Sequence, residues 1–476
     1  MSSLYVILLV VIAAALMGVS LFRASLVKTK ADYLVAGRSL PATVLVLTLL
    51  TSWIGAGSLF AGAENAYRNG FAALWQAGGG WLGLLLIYFI APRARKFAQF
   101  TLPDLLEARY NQTARVLGTI AILFAYVGIT SYQFKGGGNV LHLIFPETVS
   151  PELGTYIIAV FVIVSTALAG MSSVAYMDVA IGSLVTVICI ISAPMLFVKA
   201  GGWTGLHATL PETHFQILGN LTFLRAMEFL VPTMLLMLGN QVMYQKFFSA
   251  KSEKDARISV IGWILGTVLL ETLIVAIAVF GSALYQTGEV AKQPYEIIPY
   301  TARHGLPAFM GALLLSAVFA KVISTASNYL FSPATNLVND VFVRYIAPDA
   351  SHKRVLIISR LAVVVLGCWA LYQAIYAQSI LQKMLYAYTI YSAALTPVVL
   401  AAFYSKRVTA WSAVAAIGTG TVVTLAWDVP GVKDVFPQVI AQRDAIFPAL
   451  IAAVAALIVV SLFTAPPSAE QLAKFS

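Results

Sequence analysis

About thirteen stretches of mostly apolar residues, each about 20 residues long, run along this chain between short polar breaks. A helix of that length crosses the roughly 30 Å hydrocarbon core of a bilayer. Of the 476 residues, 60% are apolar and 11% are charged, whereas soluble domains carry about 25% charged residues. We therefore expect an all-α integral membrane protein. The predicted spans lie near residues 4–22, 42–66, 71–91, 115–143, 153–170, 175–199, 222–245, 258–283, 307–340, 354–376, 382–404, 408–427 and 446–464.

Lysine and arginine residues cluster in alternate loops between these spans. No basic segment precedes the first span, whereas Arg23 and Lys28 follow it. Further clusters lie at 93–109, 246–257 and 344–354, and the intervening loops hold isolated cations. Because cation-rich loops stay in the cytoplasm, we expect an N-terminus outside and a C-terminus in the cytoplasm, in a bacterial inner (plasma) membrane. The same loops explain the net charge of +10 without a nucleic-acid partner.

Two ionisable side chains lie inside predicted spans. Lys321 is roughly four turns from either end of its span, too far for its ammonium to reach the interface. Glu271 lies in the middle of the preceding span. Charged groups at this depth normally face a polar cavity or a partner and mark functional sites. One hypothesis is that the two side chains pair with each other.

Small and polar residues interrupt the span at 42–66. The segment 51–58 reads Thr-Ser-Trp-Ile-Gly-Ala-Gly-Ser. A break in the helix here would free carbonyl groups that could bind a cation, as in many secondary transporters. A small-residue face for packing between membrane helices explains the same composition. The sequence leaves both interpretations open.

Five motifs follow one another in the order found in the sodium:solute symporter family, which the chain resembles over nearly its whole length. They lie at 33–39 (YLVAGRS), 101–110 (TLPDLLEARY), 240–251 (NQVMYQKFFSAK), 323–327 (ISTAS) and 396–409, which begins with Thr-Pro.

The resemblance implies a single transporter domain with a LeuT-like fold. One extra N-terminal helix (4–22) would precede two inverted repeats (42–199 and 222–404), and two C-terminal helices (408–464) would follow. It implies symport of a small organic solute by alternating access, driven by a coupling ion, with sodium as the family's ion and no other cofactor. We expect the protein to act as a monomer in the lipid bilayer.

The resemblance also implies a sodium site between the first and eighth helices of the shared fold. Its carbonyl ligands would be Thr51, Ile54 and Lys321, and its hydroxyl ligands Ser324 and Thr325. Lys321 departs from the family pattern, which has a small residue there. Two unit charges about 4 Å apart repel by about 4 kcal/mol at an effective dielectric of 20.

A charged lysine and a sodium ion therefore should not share this site. The lysine points away, or it loses its proton when sodium binds, or it replaces the ion in a proton-coupled or sodium-independent carrier. Asp178 matches a fifth-helix motif of the family in part. The candidate coupling residues are Lys321, Glu271 and Asp178.

Trp53 resembles a feature of the choline-transporting branch of the family. Its ring could hold a quaternary amine by cation–π attraction, and a packing role is the alternative. Lys321 instead favours a small carboxylate or an amino-acid-like solute. Leu236 stands where the family's sugar carriers place an aromatic residue, which disfavours a sugar. The predicted substrate-binding residues are Ser52, Trp53, Ser58, Trp75, Gln76, Gln133 and Asn240.

Other functional classes have weaker support in the sequence. A membrane sensor that reuses the fold would normally carry a signalling domain, which the sequence does not indicate. An enzyme would need a Ser–His or metal-ligand arrangement, and none is evident. We therefore expect a transporter, with a solute sensor as a second alternative.

Overall fold

A computed structural model describes residues 2–24, 32, 35–97, 101–287, 289–376, 379–468 and 472. These residues are almost entirely helical. The longer helices are α1 Ser2–Ala24, α2 Ala42–Trp53, α3 Ala63–Asn69, α4 Leu74–Phe97, α5 Leu102–Arg109, α6 Gln112–Ile144, α7 Pro151–Lys199, α8 Gly202–Thr209, α9 Phe223–Gly239, α10 Gln241–Ser249, α11 Glu253–Leu284, α12 Ile297–Gly305, α13 Ala308–Asn336, α14 His352–Tyr376, α15 Ile380–Ala394, α16 Thr396–Tyr404, α17 Ala410–Trp427 and α18 Ile446–Phe463.

Eleven helical segments of the described chain are long and apolar enough to cross a membrane, and Leu4–Val19 and Ala42–Trp53 are shorter apolar helices. The predicted all-α membrane fold is therefore confirmed, and the count of thirteen spans stays a prediction. The helix α7 contains two of the eleven, Pro151–Leu168 and Val174–Lys199, close to the predicted 153–170 and 175–199. Tyr33, in the first family motif, lies outside the described residues.

The helix predicted at 42–66 is broken. The backbone leaves the helical conformation at Ile54 (φ −81°, ψ 121°), directly after α2. A π-helical segment, Gly57–Gly62, then leads into α3. The break leaves backbone carbonyl groups without helical partners, and such backbone is tolerated at membrane depth only where protein or a cavity satisfies it.

Gly55 allows this break to lie directly against two neighbouring helices. A Cβ atom at Gly55 would lie 2.7 Å from the methyl carbon of Thr325 on α13 and 2.8 Å from Nε2 of Gln133 on α6. Those distances are too short for any side chain, so this contact requires glycine.

A second break separates α9 from α10 at Asn240 (φ −62°, ψ 113°). The Asn240 side chain caps α10, because its Oδ1 accepts a hydrogen bond from the backbone N–H of Val242 at 3.0 Å. The sequence analysis predicted one uninterrupted span over 222–245, so it missed this break. Its physical cause is a capping side chain that competes with the helix for backbone donors.

The helix α13 runs through the middle of the bundle. Every side chain from Leu314 to Asn336 is buried, and α13 packs against α1, α6, α7 and α14. The helices around it turn apolar side chains outward, as at Leu361 on α14, which is 55% exposed. Polar residues of α13 are therefore enclosed by protein rather than by lipid.

Candidate functional site

Lys321 lies at the centre of α13 and its side chain is fully enclosed by protein. Its ammonium group donates a hydrogen bond to the backbone carbonyl of Thr51, one of the groups freed by the break after α2. The chain therefore places the amino group of a lysine against the carbonyl groups of a broken helix, which is the environment that the sequence analysis expected for a bound cation.

Thr325 faces the same break from one turn further along α13. Its hydroxyl oxygen lies 2.9 Å from the carbonyl oxygen of Ile54, 3.0 Å from that of Lys321 and 3.4 Å from that of Thr51. Four of the five predicted ion ligands are thus brought together, three through their carbonyl groups and Thr325 through its hydroxyl.

The fifth, Ser324, has its hydrogen-bond partner on α7 rather than at the break. Its hydroxyl donates a hydrogen bond to Oδ1 of Asp178 on α7. The Asp178 carboxylate is completely buried. Its Oδ2 also accepts hydrogen bonds from the hydroxyls of Thr48 at 2.5 Å and Ser52 at 3.3 Å. Ser52, predicted to bind substrate, therefore lies on Asp178 instead.

Lys246 on α10 provides the countercharge of Asp178. Its Nζ lies 3.0 Å from Asp178 Oδ2, and both side chains have 0% exposure. The same ammonium donates to the carbonyl of Thr48 at 2.8 Å and to its hydroxyl at 2.6 Å, and it also contacts the hydroxyl of Ser52. Four oxygen atoms therefore surround this second buried lysine.

The sequence analysis assigned Lys246 to a cytoplasmic loop, and that assignment is wrong. The break at Asn240 redirects α10 into the protein, where a lysine at the end of a regular span would have reached the interface. The residues before it carried a signal, because Asn240, Gln241 and Gln245 would be costly in lipid.

Glu271, on α11, is 5% exposed and does not pair with Lys321. Its two carboxylate oxygens accept hydrogen bonds from the indole N–H groups of Trp53 at 2.9 Å and Trp81 at 3.0 Å. Ser58 is a third hydrogen-bonding neighbour. The hypothesis of a Lys321–Glu271 ion pair is therefore wrong, because the carboxylate is hydrogen-bonded to the two indoles and the ammonium to the Thr51 carbonyl.

A small cavity of about 20 Å³ adjoins the Glu271 carboxylate. Gln76, on α4, lies in its wall and is 8% exposed. The Gln76 Nε2 is 3.7 Å from the sulfur of Met384, whereas its Oε1 has no hydrogen-bond partner within the described structure. The cavity is lined by Ser58, Gly62, Ala73, Gln76, Ala77, Glu271, Ile274 and Val275.

Aromatic rings close one side of this region. The ring of Trp53 stacks on that of Tyr388 on α15, with centroids 6.3 Å apart and planes 30° apart. A Cβ atom at Gly57 would lie 3.0 Å from the Tyr388 hydroxyl and 3.5 Å from the Tyr132 hydroxyl. Trp53, Ser58, Gln76 and Glu271 therefore form one cluster beside the helix break, which we call the Glu271 pocket.

Three other predicted substrate residues lie outside the Glu271 pocket. Gln133 Oε1 accepts the backbone N–H of Ala56 at 2.7 Å and so holds the break in place. Asn240 bonds to the hydroxyls of Tyr126 and Tyr329, both at 2.8 Å. Trp75 donates its indole N–H to the carbonyl of residue 217 at 2.8 Å. It lines a separate apolar groove of about 680 Å³.

A family model described as the sodium:solute symporter family matches residues 33–420. The high-affinity proline transporter PutP of Bacillus subtilis is 26% identical over 458 residues, which cover 92% of this chain and 93% of that protein. The osmoregulated proline transporter OpuE of the same organism is 24% identical, with 92% and 90% covered. A sodium/proline symporter of Staphylococcus aureus is 26% identical, with 83% and 80% covered.

Solved structures show the same architecture. A Na+-coupled sialic acid symporter in a substrate-bound, outward-open state superimposes with a TM-score of 0.82 at 18% identity and covers 98% of both chains. Mhp1, a nucleobase-cation-symport-1 family transporter, gives a TM-score of 0.59 at 12% identity, with 93% of this chain and 97% of that chain covered. These likenesses confirm the predicted LeuT-like fold.

Proposed function

Because the chain belongs to the sodium:solute symporter family, it is an ion-coupled membrane symporter, and we propose that its solute is small and amino-acid-like. Three relatives that align over most of their length are named for proline. The Glu271 pocket offers a carboxylate beside the broken helix, which supports a solute that carries a positive charge. Helix breaks at the bilayer midplane are the usual position of solute sites in this kind of fold.

We propose further that Lys321 and the coupling cation exclude each other. The single observation that carries this proposal is the hydrogen bond from the Lys321 ammonium to the Thr51 carbonyl. A sodium ion that took this carbonyl as a ligand would lie about 4 Å from the ammonium, and the two charges would repel by about 4 kcal/mol at an effective dielectric of 20. Because the Lys321 side chain is fully enclosed beside this carbonyl, sodium binds there only after Lys321 has lost its proton.

Two coupling modes are consistent with this exclusion. In the first, which the family favours, sodium drives the cycle and its binding displaces the proton of Lys321. In the second, Lys321 itself carries the coupled proton and the carrier needs no sodium. The contact between Lys321 and Thr51 favours the second mode, because the ammonium already satisfies the carbonyl that sodium would require.

Uptake into proteoliposomes distinguishes the two modes. The purified protein would be reconstituted and offered radiolabelled proline and a panel of other amino acids under an inward sodium gradient, an inward proton gradient, or neither. Uptake that follows the sodium gradient supports the first mode, and uptake that follows the proton gradient without sodium supports the second. If neither gradient accelerates the uptake of any solute in the panel, the proposed coupled transport of an amino-acid-like solute is refuted.

The cation-rich loops support the proposed orientation, with the N-terminus outside and the C-terminus in the cytoplasm of a bacterial inner membrane. Single cysteines introduced at residues 253 and 212, in a variant lacking the two natural cysteines, would test it. A membrane-impermeant maleimide applied to intact cells should label only the cysteine at 212, and labelling at 253 instead would reverse the orientation.

A further inference from the structure

The Glu271 carboxylate has an unusual set of partners for a group at membrane depth. Its hydrogen bonds come from neutral groups, the indoles of Trp53 and Trp81 and the hydroxyl of Ser58, and it forms no ion pair with any side chain of the described chain. The two buried lysines nearest the helix break are committed elsewhere, Lys321 to the Thr51 carbonyl and Lys246 to Asp178. The two indole N–H donors favour the charged form of the carboxylate, and a cationic ligand would supply the countercharge that the described side chains do not.

A second acceptor faces the same cavity. Gln76 Oε1 is buried and has no hydrogen-bond partner in the described structure. An unsatisfied buried acceptor costs about 1–3 kcal/mol, and that cost is removed when a ligand donates to it. Since the Ser58 hydroxyl can also accept, the walls of the cavity present three acceptor groups from three separate segments of the chain.

The size and walls of the cavity fit one small donor group. Its volume of about 20 Å³ exceeds the roughly 10–15 Å³ that a single water needs, and an ammonium group is of similar size. The rest of a solute would extend toward the helix break and the stacked rings of Trp53 and Tyr388. Aromatic faces attract cations as well as apolar carbon.

We propose that the Glu271 pocket is an ammonium subsite, in which Glu271 pairs with a protonated amine of the solute and Gln76 accepts one of its N–H groups. The solute is therefore a primary or secondary amine, such as an amino acid. A nitrogen-free carboxylate lacks the charge that Glu271 requires. A quaternary amine has the charge but no N–H group for Gln76. This subsite rests on the proposed transport of an amino-acid-like solute and narrows its chemistry.

The test uses the full-length purified protein and sets of ligands built on one carbon skeleton. The first set is proline, cyclopentanecarboxylate (no nitrogen), pyrrolidine (no carboxylate) and N,N-dimethylproline (no N–H group). Matching sets built on alanine, leucine, glutamate and lysine cover other skeletons. Dissociation constants would be measured by titration calorimetry. We expect at least one parent amino acid to bind at least about 30-fold more tightly than its nitrogen-free analogue, because breaking a buried charge pair typically costs that much or more.

Variants of the Glu271 pocket distinguish a loss of amine recognition from a loss of the folded protein. Glu271→Gln should weaken the parent amino acid at least about 30-fold and leave the nitrogen-free analogue unchanged. Glu271→Asp keeps the charge and should recover part of the affinity. If Glu271→Gln does not fold, Gln76→Leu serves instead, and it should reduce the preference for proline over N,N-dimethylproline.

Glu228 offers a matched control. It is another buried carboxylate, 2% exposed, but it pairs with Arg225 at 2.6 Å and does not line the cavity. Glu228→Gln should leave the order of ligand affinities unchanged.

Two outcomes would overturn the ammonium subsite. If nitrogen-free carboxylates bind as tightly as their parent amino acids, the subsite is refuted and the proposed function is not affected. Unchanged amino-acid affinity in Glu271→Gln would have the same meaning. If no compound in any set binds, the proposed amino-acid-like solute fails first, and the subsite fails with it.

Discussion

Replacing Lys321 with alanine should create or strengthen sodium binding between α2 and α13. The substitution removes the ammonium from the Thr51 carbonyl and leaves every other oxygen in place. These are the carbonyl groups of Thr51, Ile54 and residue 321 itself, together with the Thr325 hydroxyl, which already lies 2.9–3.4 Å from them. The variant therefore keeps a set of hard oxygen ligands of the kind that sodium prefers and loses the competing charge.

The magnitude follows from the distance between the two charges. A repulsion of about 4 kcal/mol at about 4 Å and an effective dielectric of 20 corresponds to about a thousandfold change in the sodium dissociation constant. Sodium that binds only the folded protein raises its melting temperature by mass action, so a sodium titration of the melting temperature measures this constant without a known solute.

Lys383→Ala provides the matched control. Lys383 lies on α15, where its ammonium sits 5.6 Å from the centre of the Tyr386 ring rather than on a carbonyl group of the helix break. Removing it should leave the sodium titration of the wild type unchanged. If Lys321→Ala also responds to sodium as the wild type does, the ammonium does not compete with the ion, and the argument from its contact with Thr51 is refuted.

Two other predictions concern the structure around the site. Asp178→Asn leaves Lys246 buried without its countercharge and should lower the free energy of unfolding by about 3–5 kcal/mol, measured by thermal melting. Adding Lys246→Met should restore part of that loss, and no recovery would argue against the pair. Gly55→Ala places a methyl group 2.7 Å from the Thr325 methyl and should abolish uptake, whereas Gly418→Ala, with no atom within 4 Å, should not. Equal uptake by both variants would contradict the close packing at the break.

The features that the sequence predicted well are those with a local cause. The membrane spans follow from the length of the apolar stretches. The glycine and hydroxyl residues at 51–58 indicated either a helix break or a packing face, and the structure shows the break. The approach of Thr325 to the carbonyls of Thr51 and Ile54 was available only through the family resemblance. Nothing local connects these residues, since α2 and α13 are about 270 positions apart.

The features that the sequence could not predict depend on which helices meet. Lys246 was assigned by the sign of its charge to a cytoplasmic loop, although the turn of the chain at Asn240 brings it to Asp178. Glu271 was predicted to be a functional candidate from its depth alone. Its actual partners, Trp53 and Trp81, come from two other helices. Because tryptophan is uncharged, the pattern of charges in the sequence could not identify these partners.

The most direct test of the central claim, that Lys321 and the coupling cation exclude each other, is the binding of radioactive sodium to the wild-type protein across a range of pH. The account predicts that, over the pH range in which Lys321 is protonated in the sodium-free protein, sodium binding strengthens as pH rises and each bound ion releases up to one proton, because only the uncharged lysine can share the Thr51 carbonyl region with sodium. In Lys321→Ala the pH dependence and the proton release should disappear. Sodium binding by the wild type that is independent of pH and releases no proton would contradict the account.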